Sequence, residues 1–250
     1  MKFFSPKDKF HFWQYLCAVL FLAVAGGGVI RILIARNRNF QEHKPPAKKQ
    51  IRRDIQCELR EDGIIYCRWF RCELDTADFF IEFIRTFPEH KGIIVDLRGN
   101  AGGSLPEGIA FAGLWYEKKS PLITLYRRKN GPEVAAVKSL SKKELKTPVV
   151  AIIDENTAST AEVVAGLISA LPQGWLVGQK TAGDPVARVD IIAGDPPRSM
   201  EMRLMIRLHN RPVHNDGIIP DYIIKPGEFF GKQCLEKAVL ILNNPPGDNL

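Results

Sequence analysis

A chain of 250 residues, 45% hydrophobic and 25% charged, is long enough for one sizeable folded domain and a tail, and too apolar to be disordered throughout. Its formal charge of +7 would argue for nucleic acid only if the basic residues clustered on a domain with a binding motif. Instead many of them flank an apolar stretch, with Lys2, Lys7 and Lys9 before it and Arg31, Arg36, Arg38, Lys44, Lys48, Lys49, Arg52 and Arg53 after it, and no DNA-binding motif is present, so no nucleic-acid partner is expected.

The apolar stretch, Phe12 to Ile30, has the length of one membrane-crossing helix. A signal peptide is the rival reading, with Ala23-Val24-Ala25 as its cleavage site. The apolar run continues past Ala25 towards Ala35, which favours an uncleaved anchor. Residues 1–36 are therefore expected to be a membrane anchor or signal segment. Residues 37–53, polar and basic around Pro45-Pro46, read as a linker, and 54–250 as the folded domain.

Within the domain, Ile55–Leu59 and Ile64–Phe70 look like paired strands. Phe79, Phe80, Phe83, Ile84 and Phe87 fall at helical spacing over Thr76–Phe87. Gly92–Leu97 is a short continuous apolar run, the pattern of a buried parallel strand. A Gly-rich turn, Gly99–Ser104, then leads into a helix over Leu105–Trp115. Leu122–Tyr126 reads as a strand and Gly131–Lys146 as a polar excursion. Pro148–Asp154 is a second buried strand, followed by a helix over Ala158–Ala170 and a short strand at Trp175–Gly178. Val186–Ile192 and Met200–Leu208 have β character, and a helix closes the chain around Gln233–Leu242. Strands alternating with helices define an α/β domain, in which ligands collect where buried strands end. Trp69, Phe79, Phe80, Phe83, Phe87 and Trp115 are expected in the core, with Trp175 behind the helix that starts near Ala158.

Five cysteines show no CxxC spacing, so no zinc site is expected. Cys57 and Cys67 flank Glu61-Asp62-Gly63. With Gly63 in the left-handed conformation they face each other across a hairpin. A disulfide there suits an oxidising compartment; two half-buried thiols are the other reading.

Two turns carry chemistry. The first is Asp96-Leu97-Arg98-Gly99-Asn100-Ala101-Gly102-Gly103, where paired glycines let backbone N–H groups approach a ligand or simply close a tight connection. Asp96 and Arg98 are expected to pair with each other or with nearby backbone. The second is Asn156-Thr157-Ala158-Ser159-Thr160-Ala161-Glu162. Read alone, Ser159 and Glu162 fit a helix-capping box. They fit equally a nucleophilic serine at the positive end of a helix, with the Thr160 N–H as an oxyanion donor.

The ordered set Asp-Leu-Arg-x-Asn-x-Gly-Gly, then Ser159 with Glu162, then Gly178-Gln179-Lys180-Thr181-Ala182-Gly183, then Gly217-Ile218-Ile219-Pro220-Asp221 resembles the S41 peptidases, the tail-specific or C-terminal processing proteases. The resemblance covers about residues 55–225. It implies a ClpP/crotonase-like core of repeated β-β-α units, without the PDZ domain most relatives carry. It also implies hydrolysis of protein or peptide substrates through an acyl-enzyme, with no metal and no cofactor. Carried over residue by residue, Ser159 matches the nucleophile, and Gly102 or Gly103 with the Thr160 N–H match the oxyanion hole.

The base departs from the pattern. Asp184 stands where most members have a catalytic lysine, and Arg188 where a glutamine follows. In a tricorn-like branch the base is a histidine at the position of Arg68, with a glutamate at the position of His214. Three readings stay open: His214 as base with Asp184 orienting it, Lys180 as base, or a chain that has lost hydrolysis and keeps peptide binding at a membrane. The count of basic residues around the apolar stretch would hold the domain in the cytoplasm, whereas the family points to export. Export is the expectation taken.

Overall fold

The computed structural model describes residues 30–32, 49–126, 133–141, 144–183, 186–193, 198–208 and 216–246. The chain order opens with β1 (Ile30–Ile32), β2 (Lys49–Ile51), β3 (Ile55–Leu59) and β4 (Ile64–Trp69). Helix α1 (Thr76–Thr86) precedes β5 (Gly92–Asp96), and α2 (Leu105–Ala112) runs on into a 3-10 turn at Gly113–Trp115. Then come β6 (Pro121–Tyr126), β7 (Glu133–Lys138), β8 (Val149–Ile153), α3 (Thr160–Ser169) and β9 (Gly174–Gly178). β10 (Val186–Ala193), β11 (Arg198–Leu208), β12 (Tyr222–Ile223) and α4 (Phe230–Asn243) complete it.

The mixed α/β architecture has two sheets, a larger one in the order β12-β9-β8-β5-β4-β3-β2 and a smaller one in the order β1-β7-β6-β11-β10. From β4 to β12 the larger sheet is parallel, and β3 and β2 add antiparallel pairs at one edge. Its central strands, Gly-Ile-Ile-Val-Asp and Val-Val-Ala-Ile-Ile, are buried at every position, because helices cover both faces. Successive side chains alternate between those faces. Cys67, Trp69, Ile93, Val95, Ala151 and Leu176 join the core under α1, α2 and α3. Ile64, Ile94, Val150, Ile152 and Val177 pack against α4.

Helix α3 lies between the sheets. Val164, Ala165 and Ile168 belong to the core of the larger sheet, while Val163 and Leu167 pack with Leu122, Ile206 and Leu208 of the smaller one. A helix that is apolar all round must be buried all round. Helix α2 crosses it closely because Gly108 has no side chain: a β-carbon there would stand 2.5 Å from Thr160 Cγ2.

The hairpin of β3 and β4 pairs Cys57 with Cys67 in register, Gly63 takes φ +82°, and the two cysteines form a disulfide with Cα atoms 4.2 Å apart. Trp69, Phe80, Phe83 and Trp115 are fully buried, and Phe79 and Phe87 pack partly buried against them.

Other expectations change. The polar excursion contains β7, whose Ala-rich sequence has weak strand propensity and is held extended by antiparallel pairing with β6. The end of the expected linker, Lys49–Ile51, adds an edge strand to β3, with Lys49 paired to Glu58 at 3.5 Å. Trp175 lies on the α4 side of the sheet and not behind α3, because its neighbour Leu176 takes the other face. The apolar segment up to residue 29, the end of the expected anchor at 33–36 and linker residues 37–48 lie outside the described residues. Ile30, expected at the end of the apolar helix, instead opens β1, which pairs with β7. No helix among the described residues is long and apolar enough to cross a membrane.

Candidate active site

β5 ends at Asp96 and β8 at Ile153, neighbours in the parallel sheet, so the turns that follow them emerge side by side. The first turn is shaped by Asn100, which is fully buried. Its Oδ1 accepts the Gly102 N–H at 2.8 Å, and its Nδ2 donates to the Trp69 carbonyl at 2.9 Å. Backbone bonds then lash the diglycine to Cys72: the Cys72 N–H donates to the Gly102 carbonyl at 3.0 Å, and the Ser104 N–H to the Cys72 carbonyl at 2.6 Å.

The second turn is organised by Thr157 and Asp154. The Thr157 hydroxyl donates to the Leu97 carbonyl at 3.0 Å, and Asp154 Oδ1 accepts the Gly99 N–H at 2.9 Å and the Asn156 N–H at 3.1 Å. The Ala158 N–H donates to the Asn100 carbonyl at 3.0 Å, which closes one turn on the other. Asn100, Thr157 and Asp154 escaped the sequence reading as site-shaping residues. Asn100 stood out as a motif position, and for all three the signal for this task was their type, short polar side chains that bond to nearby backbone.

Ser159 stands at the start of α3 with φ +54° and ψ −123°. An L-residue held there stores on the order of 1–3 kcal/mol. A strained serine between a strand end and a helix start is a nucleophile-elbow geometry. Ser159 and Glu162 form the capping box that their spacing predicts. Glu162 Oε2 accepts the Ser159 N–H at 3.0 Å, and the Ser159 carbonyl accepts the Glu162 N–H at 3.0 Å.

Gly102 fits directly against this point. A β-carbon on it would lie 2.9 Å from Ser159 Cβ and 2.9 Å from the Thr160 nitrogen. The Thr160 hydroxyl donates to the Gly103 carbonyl at 2.9 Å, pinning the diglycine to α3. The structure thus brings Ser159, Thr160, Gly102 and Gly103 together.

The two glycines are not equivalent. The Gly102 N–H is already bonded to Asn100. The Gly103 N–H belongs to the peptide whose carbonyl faces Cys72, and in a trans peptide it points the opposite way. Likewise the Ser159 carbonyl points into α3, so the Thr160 N–H of the same peptide points out of it. Neither N–H makes a hydrogen bond among the described residues.

The profile of peptidase family S41 matches residues 63–224, more than half of the chain. The chain belongs to family S41. The carboxyl-terminal-processing protease of Picosynechococcus is 30% identical over 142 residues, covering 55% of this chain and 33% of its own. The carboxy-terminal processing protease CtpB of Bacillus subtilis is 27% identical over 175 residues, 68% of this chain and 36% of its own. This S41 chain therefore spans about a third of the length of such relatives. Among solved structures, a photosystem II D1 C-terminal processing protease superposes with TM-score 0.54 at 18% identity, covering 73% of this chain and 47% of its own. A lipoprotein from Streptococcus agalactiae superposes with TM-score 0.58 at 18% identity, covering 76% and 70%. They share the fold.

Of the other residues singled out in the S41 pattern, Asp184 and His214 lie outside the described residues. Arg188 is on β10, opposite Arg203 of β11. Lys180 is exposed. Arg68, at the histidine position of the tricorn-like branch, is bound elsewhere: its guanidinium pairs with Asp96 at 2.5 Å and donates to the Arg98 carbonyl at 2.7 Å. Asp96 and Arg98 do pair, at 2.9 and 2.5 Å, and Tyr66 donates to the same carboxylate at 2.7 Å. Burial pushes the Asp96 carboxyl up, but the hydrogen bonds and charges of Arg98 and Arg68 outweigh it and hold it below its ordinary value. This cluster borders a cavity of about 470 Å³ that Phe230 of α4 also lines. Asp96 and Arg98 thus serve the α4 side of the sheet. Among the described residues no group of acids, histidines and cysteines could hold a metal ion.

Proposed function

We propose that this S41 chain is a serine-type peptidase that cleaves protein or peptide chains through an acyl-enzyme on Ser159. The observation that carries the reading is the strained Ser159 at the buried α3 start, seated against Gly102. Ser159 Oγ attacks the scissile carbonyl and its proton passes to His214, which Asp184 orients and whose charged form Asp184 stabilises. The carbonyl oxygen, turning negative, is held by the N–H groups of Gly103 and Thr160. His214 then returns the proton to the departing amine, and water later releases the acyl group by the same route in reverse. Gly102, expected as a possible donor, has the different task of letting the turn approach Ser159, since its own N–H is bonded to Asn100.

We read the larger sheet with α1 to α3 as the ClpP/crotonase-like core of the family. The names of the curated relatives support chain ends as substrates. We also place the domain on the exported side of a membrane, held by the segment that precedes β1, and the Cys57–Cys67 disulfide supports that compartment.

The test is covalent labelling of the full chain by a fluorophosphonate probe. Labelling lost in Ser159→Ala and strongly reduced in His214→Ala supports the whole assignment. Labelling untouched by His214→Ala removes the base. A wild-type chain that never labels, yet binds peptides, would be a silent binding module, the reading favoured by an aspartate at the family's lysine position.

A further inference from the structure

The site holds a carboxylate that the proposed chemistry leaves unused. Glu162 is fully buried. A helix cap needs one of its oxygens, and Oε2 meets that need by accepting the Ser159 N–H at 3.0 Å. The other oxygen serves distant chain. Oε1 accepts the Thr181 hydroxyl at 2.6 Å and the Gly183 N–H at 2.8 Å.

Thr181 carries the connection further. Its hydroxyl oxygen accepts the Ile218 N–H at 2.7 Å, and its own N–H donates to the Ile218 carbonyl at 3.1 Å. The neighbouring Gly217 is pressed onto the same residue: a β-carbon there would lie 2.3 Å from the Thr181 carbonyl oxygen. Because the Thr181 oxygen already accepts from Ile218, its proton is directed at Glu162. One side chain thus fixes the backbone of Ser159, the end of the turn at Gly183 and, through Thr181, the Gly217–Ile218 segment. The residue after Gly183 is Asp184, and His214 lies three positions before Gly217.

We propose that Glu162 is a positioning residue that sets Ser159 in register with the Thr181–Gly183 turn and the Gly217–Ile218 segment, beyond its role as a helix cap. This rests on the Ser159 reading above. A hydroxyl displaced by a fraction of an ångström from its base and its electrophile loses rate without losing binding, so the expected signature lies in the chemical step.

Two variants separate the roles. Glu162→Gln keeps the volume but replaces one acceptor oxygen with an NH₂ donor, so on one side donor faces donor. Thr181→Val removes the hydroxyl that links Glu162 to the Ile218 N–H and leaves the Ser159 and Gly183 N–H bonds to Glu162 intact. In the full chain we expect the maximal rate of fluorophosphonate labelling to fall about a hundredfold in Glu162→Gln and about tenfold in Thr181→Val. The half-saturating probe concentration should stay within about twofold, and thermal unfolding should remain cooperative. Parental rates in Thr181→Val would reduce Glu162 to a cap and overturn the proposal, and this variant decides the matter if Glu162→Gln fails to fold.

Should the wild-type chain not label, the Ser159 chemistry falls by itself, and amide hydrogen exchange decides the positioning role. Exchange of the Ser159 N–H about tenfold faster in Thr181→Val supports it. Unchanged protection overturns it.

Discussion

Gly102 and Ser159 meet so closely that a β-carbon on the glycine would stand 2.9 Å from that of the serine, and φ +95° at Gly102 adds backbone strain to any side chain placed there. The contact joins two turns that lie 57 residues apart in sequence. It also ties the shape of one to the conformation of the other.

Gly102→Ala is therefore expected to cost about 2–3 kcal/mol in urea unfolding, from positive φ and overpacking together, and to abolish fluorophosphonate labelling. Gly99 supplies the control. It has φ +69° with nothing within 4 Å of an added β-carbon, so Gly99→Ala should cost only about 1–2 kcal/mol from strain and leave labelling within about threefold of the parent.

Asn100→Ala should be among the most destabilising single changes near the site. It strips the partner from the buried Gly102 N–H and from the Trp69 carbonyl, and each orphaned group costs about 1–3 kcal/mol. Urea unfolding should show a loss of about 2–4 kcal/mol. A loss under about half a kcal/mol would mean that the turn is held by its backbone alone.

Acid stability should report on Asp96. Its folded value is depressed below the ordinary 3.8 by Arg98 and Arg68, so the pairing stabilises the fold at all pH above that ordinary value. That contribution disappears as pH falls through the depressed one. Asp96→Asn should lower stability by about 3 kcal/mol near neutral pH, since it leaves two guanidinium groups without their buried counter-charge. It should also flatten the fall in stability below pH 3.8. Equal acid slopes in both proteins would place the acid-sensitive group elsewhere.

Reduction of the Cys57–Cys67 bridge, which closes a span with sequence separation 10, should lower stability by about 2–3 kcal/mol through the freed unfolded chain. The double Cys57→Ser, Cys67→Ser variant should become insensitive to reductant in thermal melts. A chain that melts identically with and without reductant would show that the bridge adds nothing to stability.

Local chemistry made much of this protein legible in its sequence. Short continuous apolar runs at Gly92–Leu97 and Pro148–Asp154 have the pattern of strands covered on both faces, and β5 and β8 are buried throughout. Gly63 between two cysteines fixed a hairpin register and with it the facing of Cys57 and Cys67. Four ordered motifs were enough to recognise family S41.

What lay beyond the sequence depended on contacts between distant segments. The Ala-rich β7 is a strand only because β6 pairs with it. Trp175 faces α4 because of the face Leu176 takes in the sheet. Which N–H of the diglycine is occupied was decided by Asn100, which engages that of Gly102. Glu162 read as a helix cap from its spacing alone, since spacing speaks only for bonds within one turn of helix. Its second oxygen found Thr181 and Gly183 because the parallel sheet brings the ends of β8 and β9 side by side. Sequence sets the preferences of each segment; the packed sheet decides which backbone donors meet which side chains.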